Sequence, residues 1–156
     1  MKSSSPLKRA AGDGASALKT AAGHGWRPWA AVAAGGLLGT ELRYGLGLLF
    51  PEAEASVPWT TLGINVAGSF VLGALTTIWI ARPHTAFWLR AGIGPGVLGS
   101  FTTFSALALS VDRLAGEGLH GVWLAYLCLS VVLGLGSAAA GWRVGKALGG
   151  LNWGGR

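Results

Sequence analysis

The sequence predicts an all-α integral membrane protein with four transmembrane helices, the third of them broken. Three observations carry that prediction. Only 12% of the 156 residues are charged, against about 25% in a soluble domain. Glycine supplies 27 residues, more than twice its usual share of roughly 7%. The apolar residues fall into long runs, each of a length that crosses a bilayer, parted by short polar segments. Setting aside Met1–Trp29, which holds six charges, leaves 127 residues with only 12.

The elements follow in order. Residues 1–29 are rich in Ser, Ala, Gly and Lys, lack the apolar stretch of a signal peptide, and read as a disordered basic tail. Ala30–Phe50 gives 21 mostly apolar residues, about 31 Å as a helix, enough to cross a hydrocarbon core of roughly 30 Å. Pro51–Pro58, with Glu52, Glu54 and two prolines, is a loop. Trp59–Ala81 is the second span, closed by Arg82, Pro83 and His84. In the third, Ala86–Val111, the residues Gly92, Gly94, Pro95, Gly96 and Gly99 and the polar run Ser100, Thr102, Thr103 and Ser105 oppose a continuous helix. Lipid cannot satisfy the backbone groups so released, so such a break sits against protein, water or an ion. Asp112–Gly121 is a loop, Val122–Trp142 is the fourth span, the four-helix domain closes at residue 145, and residues 146–156 form a C-terminal tail. Trp29, Trp59, Trp79, Trp88, Trp123 and Trp142 lie near span ends, where an aromatic belt places them.

Composition also excludes classes of function. Cys128 is the single cysteine, so neither an internal disulfide nor a cysteine zinc site exists. The net charge of +6 does not point to nucleic acid, because the basic residues flank apolar runs instead of interleaving with aromatics on one surface. It points to orientation. An even number of spans puts the N-terminal tail, the second loop and the C-terminus on one side, which holds ten Lys and Arg; the other side holds only Arg113. Both termini are therefore expected in the cytoplasm, in a multi-pass membrane protein. The three histidines, His24, His84 and His120, lie in tail or loops, no nucleophile and base share a span, and no phosphate-binding loop occurs, so an enzyme is not expected.

Small residues at four-residue spacing, Gly35/Gly39, Gly63/Ala67, Ser69/Gly73, Gly134/Ala138 and Gly141/Gly145, predict tight helix contacts. Four helices cannot cover a broken helix and also enclose a polar path, so an oligomer is expected. Thr61, Asn65 and Ser69 recur at i, i+4 and i+8, a stripe of hydrogen-bonding groups with Asn65 near mid-membrane. The stripe serves either an interhelical hydrogen bond or a polar path. Tyr126 and Ser130 make a similar pair on the fourth span. In Gly99–Ser105 two rings, Phe101 and Phe104, stand among four hydroxyls, which replaces the water of a small anion without a full positive charge. Exposed carbonyls there suit a cation instead, and plain packing with threonines bonded to their own helix is the third reading. Glu41 and Arg43 are in-span charges on the first helix, and at i, i+2 they point to different faces.

Taken together, GGLLGTELRY at Gly35–Tyr44, PWTTLGINVAGSFVLG at Pro58–Gly73 and GVLGSFTTFS at Gly96–Ser105 resemble the small bacterial fluoride channels called Fluc or CrcB, over roughly residues 30–145. The resemblance implies an antiparallel dual-topology dimer with two pores and a structural sodium ion at its centre. It maps the pore asparagine to Asn65, the motif phenylalanine to Phe104, the first-span arginine to Arg43, and the fourth-span polar track to Tyr126 and Ser130. Phe101 would add a ring edge, and Thr103 and Ser105 their hydroxyls. The sodium ion, Na+, would be held by the backbone carbonyls of Gly99 and Thr102, the oxygen donors a hard cation prefers.

One stretch departs from the family. Where members usually read T-T-F-S-T-F with a Glu three residues on, this chain has Thr102-Thr103-Phe104-Ser105-Ala106-Leu107 and Ser110. A chain that inserts both ways also needs balanced Lys and Arg, and ten against one is not balanced. The expectation is a fluoride-selective channel exporting cytoplasmic fluoride and reducing its toxicity, with this chain paired to a homologous antiparallel subunit, a heterodimer being favoured over a homodimer. The alternative is a small multidrug-type exporter working a cation/proton exchange through Glu41.

Overall fold

The computed structural model describes residues 25–53, 56–118 and 120–149. Among them the chain is helical and contains no strand. The elements are α1 (Arg27–Leu49), α2 (Trp59–Ala81), α3 (Phe87–Ala91), a π-helical segment (Gly92–Leu98), α4 (Gly99–Phe101), α5 (Phe104–Gly116) and α6 (His120–Gly149). Three stretches are long and apolar enough to cross a membrane: Trp59–Ala81, Phe87–Gly116 taken through its break, and Gly121–Gly149. Together with the family described below, they make this a multi-pass membrane protein. α1 has the length, 23 residues or about 34 Å, but also carries Glu41 and Arg43.

α2 follows the sequence reading residue for residue, and the other spans differ at their ends, three of them by more than two residues. α1 begins at Arg27 instead of Ala30, because Pro28 sits in the first turn, where its missing N–H leaves no bond unmade. The remainder of the expected tail, residues 1–24, lies outside the described residues. α5 runs on through Asp112–Gly116, read above as loop. Leu107, Ser110 and Leu114 are buried at helical spacing, and that buried stripe continues the helix past its last apolar run. α6 extends beyond residue 145 to Gly149, because its contact with α2 continues there: a Cβ on Gly149 would stand 3.1 Å from Ala81 Cβ. Residues 150–156 lie outside the described residues.

The third span breaks later than its glycines and proline suggest. Gly92–Leu98 stays helical by winding wider, and the Gly99 N–H reaches back five residues to Gly94 O. The close approach of α1 accounts for the glycines. A Cβ on Gly35 would collide with Gly92 O, and one on Gly39 with Val97 O, so the two backbones meet without side chains between them. The chain leaves the helix only at Thr102 (φ −99°, ψ 129°) and Thr103 (φ −136°, ψ 133°), both extended.

Two parallel pairs build the bundle. α1 runs alongside α3 and the π-helical segment, and α2 runs alongside α6, its most extensive neighbour. In the second pair Gly73 faces Ala138, Gly141 faces Phe70, and Gly145 faces Ala74 and Thr77. Ser137 Oγ donates to Val66 O at 2.7 Å across the same seam. The buried apolar cluster is small, Leu62, Leu107, Leu114 and Tyr126 between α2, α5 and α6. Leu37, Leu38, Leu42, Leu135 and Val132 are all more than half exposed, a surface for lipid or a further subunit.

The packing also sorts the charges. Among the described residues one end carries Arg27, Arg82, Arg90, Arg143 and Lys146 with no acid; the other carries Glu52, Asp112 and Glu117 with Arg113.

Candidate functional site

The break at Thr102–Thr103 is where side chains from three elements converge. Ending α4 at Phe101 strips its last carbonyls of helical partners, and each acceptor must then be accounted for. Leu98 O takes the Thr102 N–H at 2.9 Å and the Thr102 hydroxyl at 2.7 Å. Phe101 O takes Arg43 Nη1 from α1 at 3.0 Å. The Thr103 N–H, which in a continuous helix would close on Gly99 O, instead donates to Asn65 Oδ1 at 3.2 Å. Asn65 Nδ2 returns a longer contact to Thr103 O at 3.5 Å. Gly68, one turn along from Asn65, makes room: a Cβ there would run into Thr102 Cγ2.

Two consequences follow. The Asn65 amide is orientated by its carbonyl end, so its NH2 end keeps donor capacity, one N–H being held only at 3.5 Å. The Gly99 carbonyl is left without its helical donor. The Thr103 hydroxyl accepts from Ala106 N at 3.3 Å as the N-cap of α5, which leaves its O–H to donate.

The structure thus brings Asn65, Thr103, Thr102, Phe101 and Arg43 together. Phe104 starts α5 and is 79% exposed, and Ser105 beside it is exposed too. Tyr126 and Ser130 lie on α6 and make none of the bonds at the break. Tyr126 OH donates to Pro58 O at 3.2 Å, and Ser130 Oγ donates to Tyr126 O at 2.7 Å. The stripe on α2 is also divided, because Thr61 turns to Glu52 while Asn65 turns to Thr103.

Glu52 is the residue that sequence reasoning left without a role. Its carboxylate accepts from Thr61 N at 2.8 Å and from the Thr61 hydroxyl at 3.4 Å, capping α2 from the preceding loop. Pro58 at the cap position has no side-chain acceptor to offer, and that was the available signal. Glu52 also lines a cleft of about 380 Å³ with Ser56, Ser110, Arg113 and Glu117 at the acidic end. Leu107 and Ser110, two of the positions that depart from the family pattern, lie respectively in the core cluster and at this cleft. No group of three or more His, Cys, Asp or Glu side chains assembles among the described residues, and the oxygens at the break are carbonyls, hydroxyls and the Asn65 amide. Their chemistry fits a hard cation such as sodium.

Residues 30–142 match the family described as CrcB-like protein, Camphor Resistance (CrcB). Similar proteins include the "Fluoride-specific ion channel FluC" of Thermus thermophilus, 43% identical over 118 residues that cover 75% of this chain and 94% of that one. "Fluoride-specific ion channel FluC 2" of Geobacillus kaustophilus is 37% identical over 117 residues, 74% of this chain and 91% of its own length. "Fluoride-specific ion channel FluC 3" of Streptomyces avermitilis is 40% identical over 119 residues, which cover 75% of this chain and 57% of that longer protein. The match takes in the break, both residues that pin it and most of α6, and the chain belongs to the CrcB-like family.

Proposed function

We propose that this chain is one subunit of a fluoride-selective channel that lets cytoplasmic fluoride leave the cell passively and so limits its toxicity. One observation carries the reading: a helix break pinned by an orientated asparagine, in a chain whose relatives are named fluoride-specific ion channels. Fluoride is small and strongly hydrated, so a selective path must replace its water with fixed donors. Asn65 supplies N–H groups, held by the bond to Thr103 at its other end. Phe104 and Phe101 offer ring edges, and Ser105 and Thr103 offer hydroxyls. Tyr126 and Ser130 join by turning hydroxyls now bonded to carbonyls. The Arg43 guanidinium raises the potential along the entrance.

In this reading α1 is the first of four spans, residues 30–145 form the channel domain, and the basic end, with both termini, faces the cytoplasm across the inner membrane. The carbonyls of Gly99 and Thr102, with those of a second, antiparallel subunit, would hold a sodium ion, which would supply a fixed positive charge at the break. The bias of ten basic residues against one favours a related subunit of opposite bias over a second copy.

The test is fluoride efflux from liposomes, measured with a fluoride electrode, for the chain alone and with such a subunit. Fluoride efflux without a proton gradient, with chloride retained, supports the channel. Proton-coupled exchange of an organic cation, abolished in Glu41→Gln, would replace it with the exporter. Efflux at full rate from the chain alone would remove the heterodimer.

A further inference from the structure

The basic end of the bundle carries a groove that the ion path does not use. Trp26, Arg27, Ala30 and Ala31 at the start of α1 face Trp88 of α3 across about 480 Å³. The lining is two indole rings, two methyl groups and one guanidinium. Arg27 is exposed, and no carboxylate bonds it among the described residues. The opposite wall is fixed in place, because Arg90 Nη2 donates to the carbonyls of Arg82 at 3.0 Å and Pro83 at 2.8 Å and ties the preceding loop to α3.

The geometry points to a bound anionic phospholipid, its phosphate against Arg27 and an acyl chain descending past Ala30, Ala31 and Trp88. Charge complementarity favours this occupant. Five basic residues and no acid stand at this end among the described residues, and indoles settle at the level of lipid headgroups. The polar and apolar parts of the groove are also in the order a lipid needs, since Arg27 precedes the alanines along a helix that runs inward from this end. A soluble anion would meet Arg27 but leave the indoles and methyls uncovered. The preceding segment, residues 1–24, carries Lys2, Lys8, Arg9 and Lys19 against Asp13, the wrong sign for this guanidinium. The inference needs the membrane location and not the fluoride reading.

Native mass spectrometry of the full-length chain, titrated with phosphatidylglycerol or phosphatidylcholine, tests it. The wild type should bind the anionic lipid at least about fivefold more tightly, and Arg27→Gln should remove that preference, at about the worth of one basic residue near a headgroup. Arg143→Gln, at the same end but outside the groove, should retain it. Trp88→Ala should weaken both lipids, as the loss of an apolar wall requires. Equal binding of the two lipids, or Arg27→Gln behaving as Arg143→Gln does, overturns the proposal. So does displacement of the lipid by millimolar inorganic phosphate, which would make Arg27 a simple anion site. Binding of neither lipid leaves the groove to the N-terminal segment or a neighbouring subunit, and overturns it equally.

Discussion

Asn65 on α2 and Thr103 at the break of the third span bond each other in both directions: Thr103 N–H to Asn65 Oδ1 at 3.2 Å, and Asn65 Nδ2 to Thr103 O at 3.5 Å. A side-chain amide thus stands in for the next turn of helix. Replacing Asn65 by leucine keeps the bulk and leaves the Thr103 N–H without an acceptor. Thermal unfolding in detergent should show a loss of about 1–3 kcal/mol for Asn65→Leu. No loss would mean that the break is held by something else.

Thr103 works from the other side, because its hydroxyl caps α5. Thr103→Ala should cost about 1 kcal/mol, and Thr103→Ser, which retains the acceptor, should melt near the wild type. Equal melting of alanine and serine variants would show that the cap contributes nothing.

The α2–α6 seam predicts a contrast between two glycines of one helix. A methyl at Gly145 would press on Ala74 and Thr77, whereas one at Gly136 meets nothing within 4 Å. Gly145→Ala should destabilise by about 1–3 kcal/mol and Gly136→Ala should be neutral or slightly stabilising. Similar melting of the two would contradict the packing.

Arg43 separates a structural effect from an electrostatic one. Arg43→Gln keeps a donor for Phe101 O, at 3.0 Å in the native chain, and removes the charge. Fluoride efflux should slow while stability holds, and the variant's rate should depend less on ionic strength than the wild type's, since salt screens only the charge. An unchanged rate and salt dependence would confine Arg43 to holding the break.

Much of this was legible because a bilayer imposes simple rules. α2 could be bounded from apolarity and its flanking Pro58 and Arg82 alone, and the pairs Gly35/Gly39 and Gly141/Gly145 do face neighbouring backbone. That the third span breaks was also legible, but not where. Pro95 and its glycines wind as a π-helix where α1 meets them at Gly35 and Gly39, a tertiary contact that no local propensity records. The pair Gly63/Ala67 shows the reverse, since a Cβ on Gly63 meets nothing within 4 Å of the protomer. Spacing revealed a small-residue face but not which neighbour covers it. Glu52 escaped notice because its bond to Thr61, nine positions on, crosses a loop where no periodicity operates.

The central claim is that Asn65 presents N–H donors to a passing fluoride ion while its carbonyl end holds the break. Asn65→Asp separates these roles, because a carboxylate still accepts the Thr103 N–H but faces the anion with negative charge. The decisive measurement is fluoride efflux from liposomes reconstituted with Asn65→Asp, after its melting has been matched to the wild type. The account predicts a fall of about a hundredfold or more, as repulsion of a few kcal/mol requires. Efflux at the wild-type rate from an equally stable variant would contradict it.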